Sequence, residues 1–217
     1  MKNNKGNILI LSGCAGSGKG TILKRVFELS DRFRYSVSLT TRSPRPGEVE
    51  GVSYYFVTKE QFFDYAKNGK LVEYTEYCDN FYGTPYDRVV KMRDEGYIVV
   101  LEIETDGARQ VMDKFDDYIS VFITPPSYSV LEHRLRNRGT ETEDSIVKRL
   151  KRSKTELVHS KVYDHILINY DNRVDDVARA IIGICSGEDP QSFPVRINDI
   201  DDFILKYSMN DFGGAEK

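Results

Sequence analysis

Hydrophobic and polar positions alternate along this chain in two periods, and the boundaries between them mark the elements. Residues 7–12 (NILILS) form a short apolar run between turn-forming residues, as a buried parallel strand does. Residues 21–29 then place Ile22, Leu23, Val26, Phe27 and Leu29 at helical spacing. The stretch 35–58, rich in Thr, Ser, Pro, Gly and Tyr, reads as irregular and strand structure. A helix is predicted over 59–67 with Phe62, Phe63 and Ala66 inward, and a half-exposed strand over 71–77. Residues 85–95 read as a helix with Pro85 at its start and Gly96 just past its end. The clearest buried strand is 97–103 (YIVVLEI), followed by a helix over 107–115, a strand over 118–123 and a helix over 127–136. A charged helix over 142–157, capped by Thr142 or Thr140, a strand over 165–168 and a helix over 174–185 complete the series.

Strand and helix in this order predict an α/β layered domain with a parallel central sheet and right-handed crossovers. Residues 35–84 break the alternation and read as an insertion, and there is no internal repeat. Beyond Gly187, the residues Ile197, Ile200, Phe203, Ile204 and Tyr207 recur at helical spacing, with Asn198 or Asp199 as cap. They predict a short amphipathic helix docked on the core or on a second subunit, with 213–217 frayed.

Composition narrows the function classes. The 217 residues carry 31 Lys and Arg against 34 Asp and Glu, a formal charge of −3 that argues against a nucleic-acid or membrane-surface partner. The charge is unevenly placed, however: residues 134–154 hold eight basic and three acidic side chains, and residues 187–217 three basic and seven acidic. Cys14, Cys78 and Cys185 form neither a disulfide framework nor a metal spacing, and no apolar run is long enough for a membrane helix. A cytoplasmic protein, monomeric or homodimeric, is expected.

Between the first strand and first helix lies Gly13-Cys-Ala-Gly-Ser-Gly18-Lys19-Gly20-Thr21, with the G-x-x-x-x-G-K spacing of a phosphate-binding P-loop in its strand–loop–helix context. Backbone amides of Ala15, Gly16, Ser17, Gly18, Lys19, Gly20 and Thr21 would cradle phosphate oxygens, with Lys19 reaching the β- and γ-phosphates of a nucleoside triphosphate. Gly20 stands where Ser or Thr is usual, so Mg²⁺ would be held by Thr21, waters and phosphates. Cys14 reads as a small residue that fits the loop; the alternative is a thiol activated by the helix terminus.

In residues 36–56 (SVSLTTRSPRPGEVEGVSYYF), Arg42 and Arg45 stand three apart among Ser, Thr and Pro, as suits a second phosphate site. The run T-T-R-x-P-R-x-G-E-x-x-G-x-x-Y-x-F resembles the signature of the guanylate kinases, and the likeness extends over about 180 residues and stops near Gly187. This resemblance implies a P-loop core (1–186) with an inserted mixed α/β GMP-binding subdomain (about 35–95) and a helical lid (about 134–152), followed by the 187–217 extension. Transfer of the ATP γ-phosphoryl to GMP, with Mg²⁺, in purine nucleotide metabolism is the implied activity. Closure of the insertion and lid would exclude water from the transfer.

The resemblance also implies residue roles. Ser38, Arg42, Arg45, Tyr54 and Tyr82 would grip the GMP phosphate, with Glu48 in the same site, while Glu73 and Thr84 would read the guanine. A carboxylate accepts from both N1–H and the exocyclic amine of guanine, a pair that adenine lacks. Glu102 and Glu104, in L-E-I-E-T-D-G-A, would serve GMP, with Glu102 also in the Mg²⁺ shell; Glu104 stands where Asp is usual and Asp106 where Gln is usual. Arg134, Arg138 and Arg149 would attend the triphosphate and Asn169 the adenine or ribose, whereas Lys148, Lys151, Arg152 and Lys154 read as a solvated face. Lys19, Arg42, Arg45, Arg138 and Arg149 carry the expected catalytic work. His133, His159 and His165 show no ligand spacing and read as structural. Rival readings are a kinase for another nucleoside monophosphate and a non-catalytic interaction module.

Overall fold

The first apolar run becomes strand β1 (Ile8–Gly13), in which Ile8, Leu9, Ile10 and Leu11 are completely buried. The computed structural model describes residues 5–77, 79–137 and 142–209. Helix α1 (Lys19–Leu29) buries Ile22, Leu23 and Val26 and is followed by strands β2 (Phe33–Tyr35), β3 (Leu39–Thr40) and β4 (Tyr55–Phe56). Helix α2 (Lys59–Lys67) starts on a reciprocal cap, the Thr58 hydroxyl accepting from the Gln61 amide and the Gln61 side chain from the Thr58 amide. Strands β5 (Leu71–Tyr77) and β6 (Asn80–Pro85) form a hairpin, with α3 (Tyr86–Asp94) directly after it. Then follow β7 (Ile98–Glu102), α4 (Thr105–Met112), β8 (Tyr118–Thr124) and α5 (Tyr128–Asn137). The last elements are α6 (Glu143–His159), capped by Thr142, β9 (His165–Ile168), α7 (Val174–Cys185) and α8 (Ile200–Met209).

A five-stranded sheet has the order β2-β7-β1-β8-β9, and its β2–β7 and β8–β9 pairs are parallel, as the alternation predicts. A four-stranded sheet has the order β4-β3-β6-β5, with β6 antiparallel to both β3 and β5. The chain divides into two compact units, residues 1–10 with 31–119 and residues 11–30 with 120–217, so the halves of β1 belong to different units.

In the first unit, Leu39, Phe62 and Leu71 form a core lined by Tyr55, Val57, Tyr65, Ala66 and Phe81. Phe63, expected inward, is instead 46% exposed, because α2 turns a narrow stripe to this small core; the ring keeps an edge contact with Phe81 at 4.8 Å. β5 is an edge strand, and its register with β6 shifts between Leu71 and Tyr74. Leu71, Val72 and Glu73 are all buried across this irregularity, so the expected simple alternation is lost there. α4 begins two residues earlier than predicted, at Thr105, and stops at Met112.

In the second unit, α1 packs on α7 and is tied to it by Arg25, whose Nε and Nη2 donate to the two carboxylate oxygens of Asp175 at 2.8 and 2.9 Å. The segment after α7 does more than end in a helix. The Ile168 amide donates to the Val195 carbonyl at 2.7 Å and the Ile197 amide to the Ile166 carbonyl at 2.9 Å, an antiparallel cover along the outer edge of β9. α8, capped by Asp199 through the Asp202 amide at 2.9 Å, then packs on α6, and its buried Tyr207 meets Tyr128 of α5 edge-on. The short helix expected in this segment is present as α8.

Cutting the chain after Ser186 bares this strand edge and the α6 face. We expect a melting temperature lower by on the order of 5 °C and earlier light scattering on heating. A truncated chain that melts with the full one would show the cover to be dispensable.

Candidate functional site

The second unit holds the phosphate loop. Gly18 is the cap of α1 in the left-handed region (φ 90), and no side chain caps the helix. A Cβ at Gly18 would also lie 2.5 Å from Asn169 Nδ2, so glycine is required there twice over. With no acidic side chain in the first turn of α1, its N-terminal amides are left for an anion. Lys19 folds back on the loop, its Nζ donating to the Gly13 carbonyl at 2.6 Å and to the Cys14 carbonyl at 3.3 Å. Nothing lies within 4 Å of a Cβ built on Gly20, so packing does not dictate the missing hydroxyl at that position.

Beside the loop is a cavity of about 400 Å³ lined by Gly16, Gly18, Thr21, Arg134, Asn169 and Asp171, among others. Arg134 is pinned by its Nη2, which donates to the Asn169 carbonyl at 2.8 Å and to Asp171 Oδ1 at 2.7 Å. The Asn169 side chain, 5% exposed, donates to the Ser17 carbonyl at 2.8 Å. It thereby holds the phosphate loop itself, a task that spacing along the chain does not reveal. His133, expected to be structural, also lines this cavity, with its Nε2 2.8 Å from Asn137 Nδ2.

The first unit gathers a different set. Arg42 Nη2 donates to both carboxylate oxygens of Glu48 at 2.8 and 3.0 Å, and the Arg45 amide donates to Glu48 Oε2 at 2.7 Å. Arg42 thus holds the Glu48 carboxyl below its ordinary pKa. The Arg42 guanidinium also lies 5.5 Å from the Tyr54 ring centroid, and the Tyr54 and Tyr82 rings meet edge-on at 5.9 Å. Ser38 is half-buried nearby in sequence, its carbonyl accepting from the Tyr55 amide, whereas Arg45 is exposed.

Glu73, at the β5 irregularity, is only 3% exposed, and Thr84 Oγ1 from β6 donates to its Oε1 at 2.7 Å. Burial pushes its pKa up to about 7, opposed by the Thr84 hydrogen bond and the charge of Lys114. On the α4 side, Gly107 makes room for it: a Cβ there would lie 2.5 Å from Glu73 Oε2. A buried carboxylate with one oxygen satisfied by a hydroxyl is a built acceptor, not a solvated strand charge.

The sequence model of the guanylate kinase family matches residues 5–184. The chain belongs to the guanylate kinase family. It is 44% identical over 189 residues to a guanylate kinase of Bacillus cereus, covering 87% of this chain and 91% of that one. With a guanylate kinase of Oceanobacillus iheyensis it shares 43% identity over 169 residues, 78% of this chain and 82% of the other. The crystal structure of guanylate kinase from Anaplasma phagocytophilum superposes with a TM-score of 0.66 at 33% identity, covering 84% of this chain and 86% of that one.

Within this guanylate kinase fold, the other residues singled out from the sequence fall as follows. Glu102 is half-buried at the end of β7, but the strand stops there, so Glu104 does not share its strand face; it is exposed and precedes the first turn of α4. Asp106 is exposed in that first turn, where a negative charge complements the helix dipole. Arg149 is half-buried on α6, while Lys148, Lys151, Arg152 and Lys154 are exposed, as expected. Arg138, assigned a catalytic role from the resemblance, and Cys78 lie outside the described residues. Gln110 and Lys114, which no motif signals, reach the backbone of β5 beside Glu73. Among the described residues no helix is long and apolar enough to cross a membrane, and no three His, Cys, Asp or Glu gather as a metal cage.

Proposed function

We propose that the chain binds ATP at the phosphate loop and GMP among Ser38, Arg42, Arg45, Tyr54, Glu73, Tyr82 and Thr84, and transfers the γ-phosphoryl between them. A GMP phosphate oxygen attacks the γ-phosphorus, the bond to the β–γ bridging oxygen breaks, and ADP and GDP result. The observation that carries this reading is the buried Glu73 carboxylate with Thr84 bound to one oxygen, a site suited to the N1–H and amino group of guanine. Arg42 supplies fork-like donors for the acceptor phosphate, with Glu48 orienting the fork until that phosphate arrives. Lys19 and the α1 amides hold the donor's phosphates, and Arg134, Arg138 and Arg149 neutralise charge around them.

Thr21 lines the donor cavity, so its hydroxyl suits one position in the shell of a Mg²⁺ that otherwise keeps phosphate oxygens and water. The ion, when bound, neutralises charge on the β- and γ-phosphate oxygens. A part for Glu102 in that shell and for Glu104 toward GMP rests on the family resemblance. We read residues 1–186 as the kinase domain, with an acceptor-binding insertion at about 35–95 and a lid at about 134–152, and 187–217 as an extension. Purine nucleotide metabolism in the cytoplasm is the corresponding setting, and three cysteines without a disulfide or metal spacing suit a reducing compartment.

An ADP-release assay with GMP, AMP, CMP and UMP tests the reading. GMP should be preferred over AMP by at least about a thousandfold in kcat/KM, because the buried carboxylate would be left unpaired against adenine. Equal rates on another monophosphate would overturn the acceptor assignment, and no rate on any would favour a binding module.

A further inference from the structure

β5 carries Glu73 but lies at the edge of its sheet, so among the described residues one side of its backbone has no strand partner. Side chains from α4 and the turn that ends it take the place of that strand. Gln110 Oε1 accepts from the Tyr74 amide at 3.1 Å, and Gln110 Nε2 donates to the Tyr74 carbonyl at 2.9 Å, so one amide satisfies both backbone groups of a single residue. Four residues on, Lys114 Nζ donates to the Leu71 carbonyl at 3.1 Å and to the Val72 carbonyl at 2.5 Å. These four contacts fall on residues 71, 72 and 74. They bracket Glu73, whose own side chain lies against Gly107 in the first turn of the same helix.

We propose that Gln110 and Lys114 are positioning residues for acceptor recognition, clamping the β5 backbone on both sides of Glu73 so that its carboxylate is held where the guanine base must meet it. The proposal rests on reading Glu73 as the group that accepts from guanine. An irregular edge strand has weak register of its own, and a carboxylate displaced by a fraction of an ångström loses paired hydrogen bonds that demand alignment. The clamp is built from groups that suit this task. A primary amide reproduces the donor–acceptor pair of a neighbouring strand, and an ammonium can serve two carbonyls at once.

Lys114 has a second effect. It is the charged group acting on the Glu73 carboxylate, Thr84 from β6 being neutral, and it favours the ionised form that guanine needs. Asp106 and Arg109 of α4, and Glu60, Asp64 and Lys67 of α2, are exposed to solvent. Lys114 is itself an exposed residue whose ammonium makes these contacts, so replacing it should spare the core.

The test compares Lys114→Met, Lys114→Arg, Gln110→Met and Glu73→Gln in the full chain by steady-state kinetics against GMP and ATP separately, with thermal melts alongside. For Lys114→Met and Gln110→Met we expect KM for GMP to rise by about tenfold, with KM for ATP within about twofold. Lys114→Met should also move the acidic limb of kcat/KM for GMP to higher pH by about half a unit or more, and Lys114→Arg should restore both KM and limb. Gln110→Met should leave the limb in place, since no charge is removed. Unchanged GMP constants in both Met variants, while Glu73→Gln still destroys GMP use, would overturn the clamp and spare the reading of Glu73. Equal losses for ATP and GMP, or no rescue by arginine, would reduce both residues to general structural support and overturn it too. If Glu73→Gln leaves GMP use intact, the reading of Glu73 fails and the clamp has nothing to position.

Discussion

Replacing Glu73 by glutamine should lower kcat/KM for GMP by about a thousandfold while leaving KM for ATP within about twofold. Glutamine keeps the shape and one acceptor oxygen, and it can still receive the Thr84 hydroxyl that now reaches Glu73 Oε1 at 2.7 Å. It turns the other oxygen into a donor, which would face the N–H groups of guanine and leave buried donors opposed. The residue is 3% exposed, so water cannot relieve that conflict. Kinetics with the two nucleotides varied separately measure the effect; equal loss toward ATP and GMP would remove Glu73 from base recognition.

The same substitution should change stability in the opposite sense. With its pKa at about 7 instead of the ordinary 4.5, native Glu73 keeps a proton that the unfolded chain has given up between those values. Its contribution is therefore full below about pH 4.5 and is lost as pH rises through about 7, at a cost of roughly 3 kcal/mol or less. Glu73→Gln should accordingly melt above the unsubstituted chain at pH 8 and lose that advantage at pH 5. A site that discriminates by burying a charge is less stable for it, and the pair of melts reads that cost directly.

The second large effect is expected at Lys19. Lys19→Met should reduce kcat by at least about a thousandfold, with KM for GMP within about twofold and far-ultraviolet circular dichroism unchanged. Lys19 Nζ is held by carbonyls of its own loop, a place from which a flexible four-carbon stem can swing to phosphate oxygens. Methionine preserves the stem and removes the charge. Arginine should not restore the rate, because a planar fork cannot occupy the position of a point charge between two carbonyls and a phosphate. A methionine variant that keeps a tenth of the rate would show that the α1 amides neutralise the phosphates without Lys19.

The phosphate loop is readable from sequence because its function resides in the backbone. A turn that presents successive amides must be glycine-rich at fixed spacing, and that spacing survives in one sequence without any neighbour in space. The buried strands are readable for the same reason, since β1 and β7 are continuous apolar runs. The Arg42–Glu48 pair lies within seven residues and comes through the motif. Glu73 gives no such sign: in K-L-V-E-Y it could as well be solvated, and only the register shift with Thr84, Gly107 and Lys114 around it makes the buried site. Gln110 and Lys114 are silent because their partners are main-chain atoms some 40 residues away, and main-chain atoms leave no mark in a sequence. Phe63 departs from its expected direction because helical spacing gives a direction and not the width of the core it faces. Asn169 reads as a residue near a ligand, and it lines the cavity beside the phosphate loop; that its amide also holds the Ser17 carbonyl depends on one rotamer, which the sequence does not show.

The cover on β9 also has a consequence in time. Val195 comes 27 residues after Ile168, so during synthesis the strand is complete well before the segment that pairs with it emerges. At about 5–20 residues per second, the nascent sheet presents an open edge for on the order of seconds. Emergence of that later segment, not formation of the core, is the event that closes the edge to other chains.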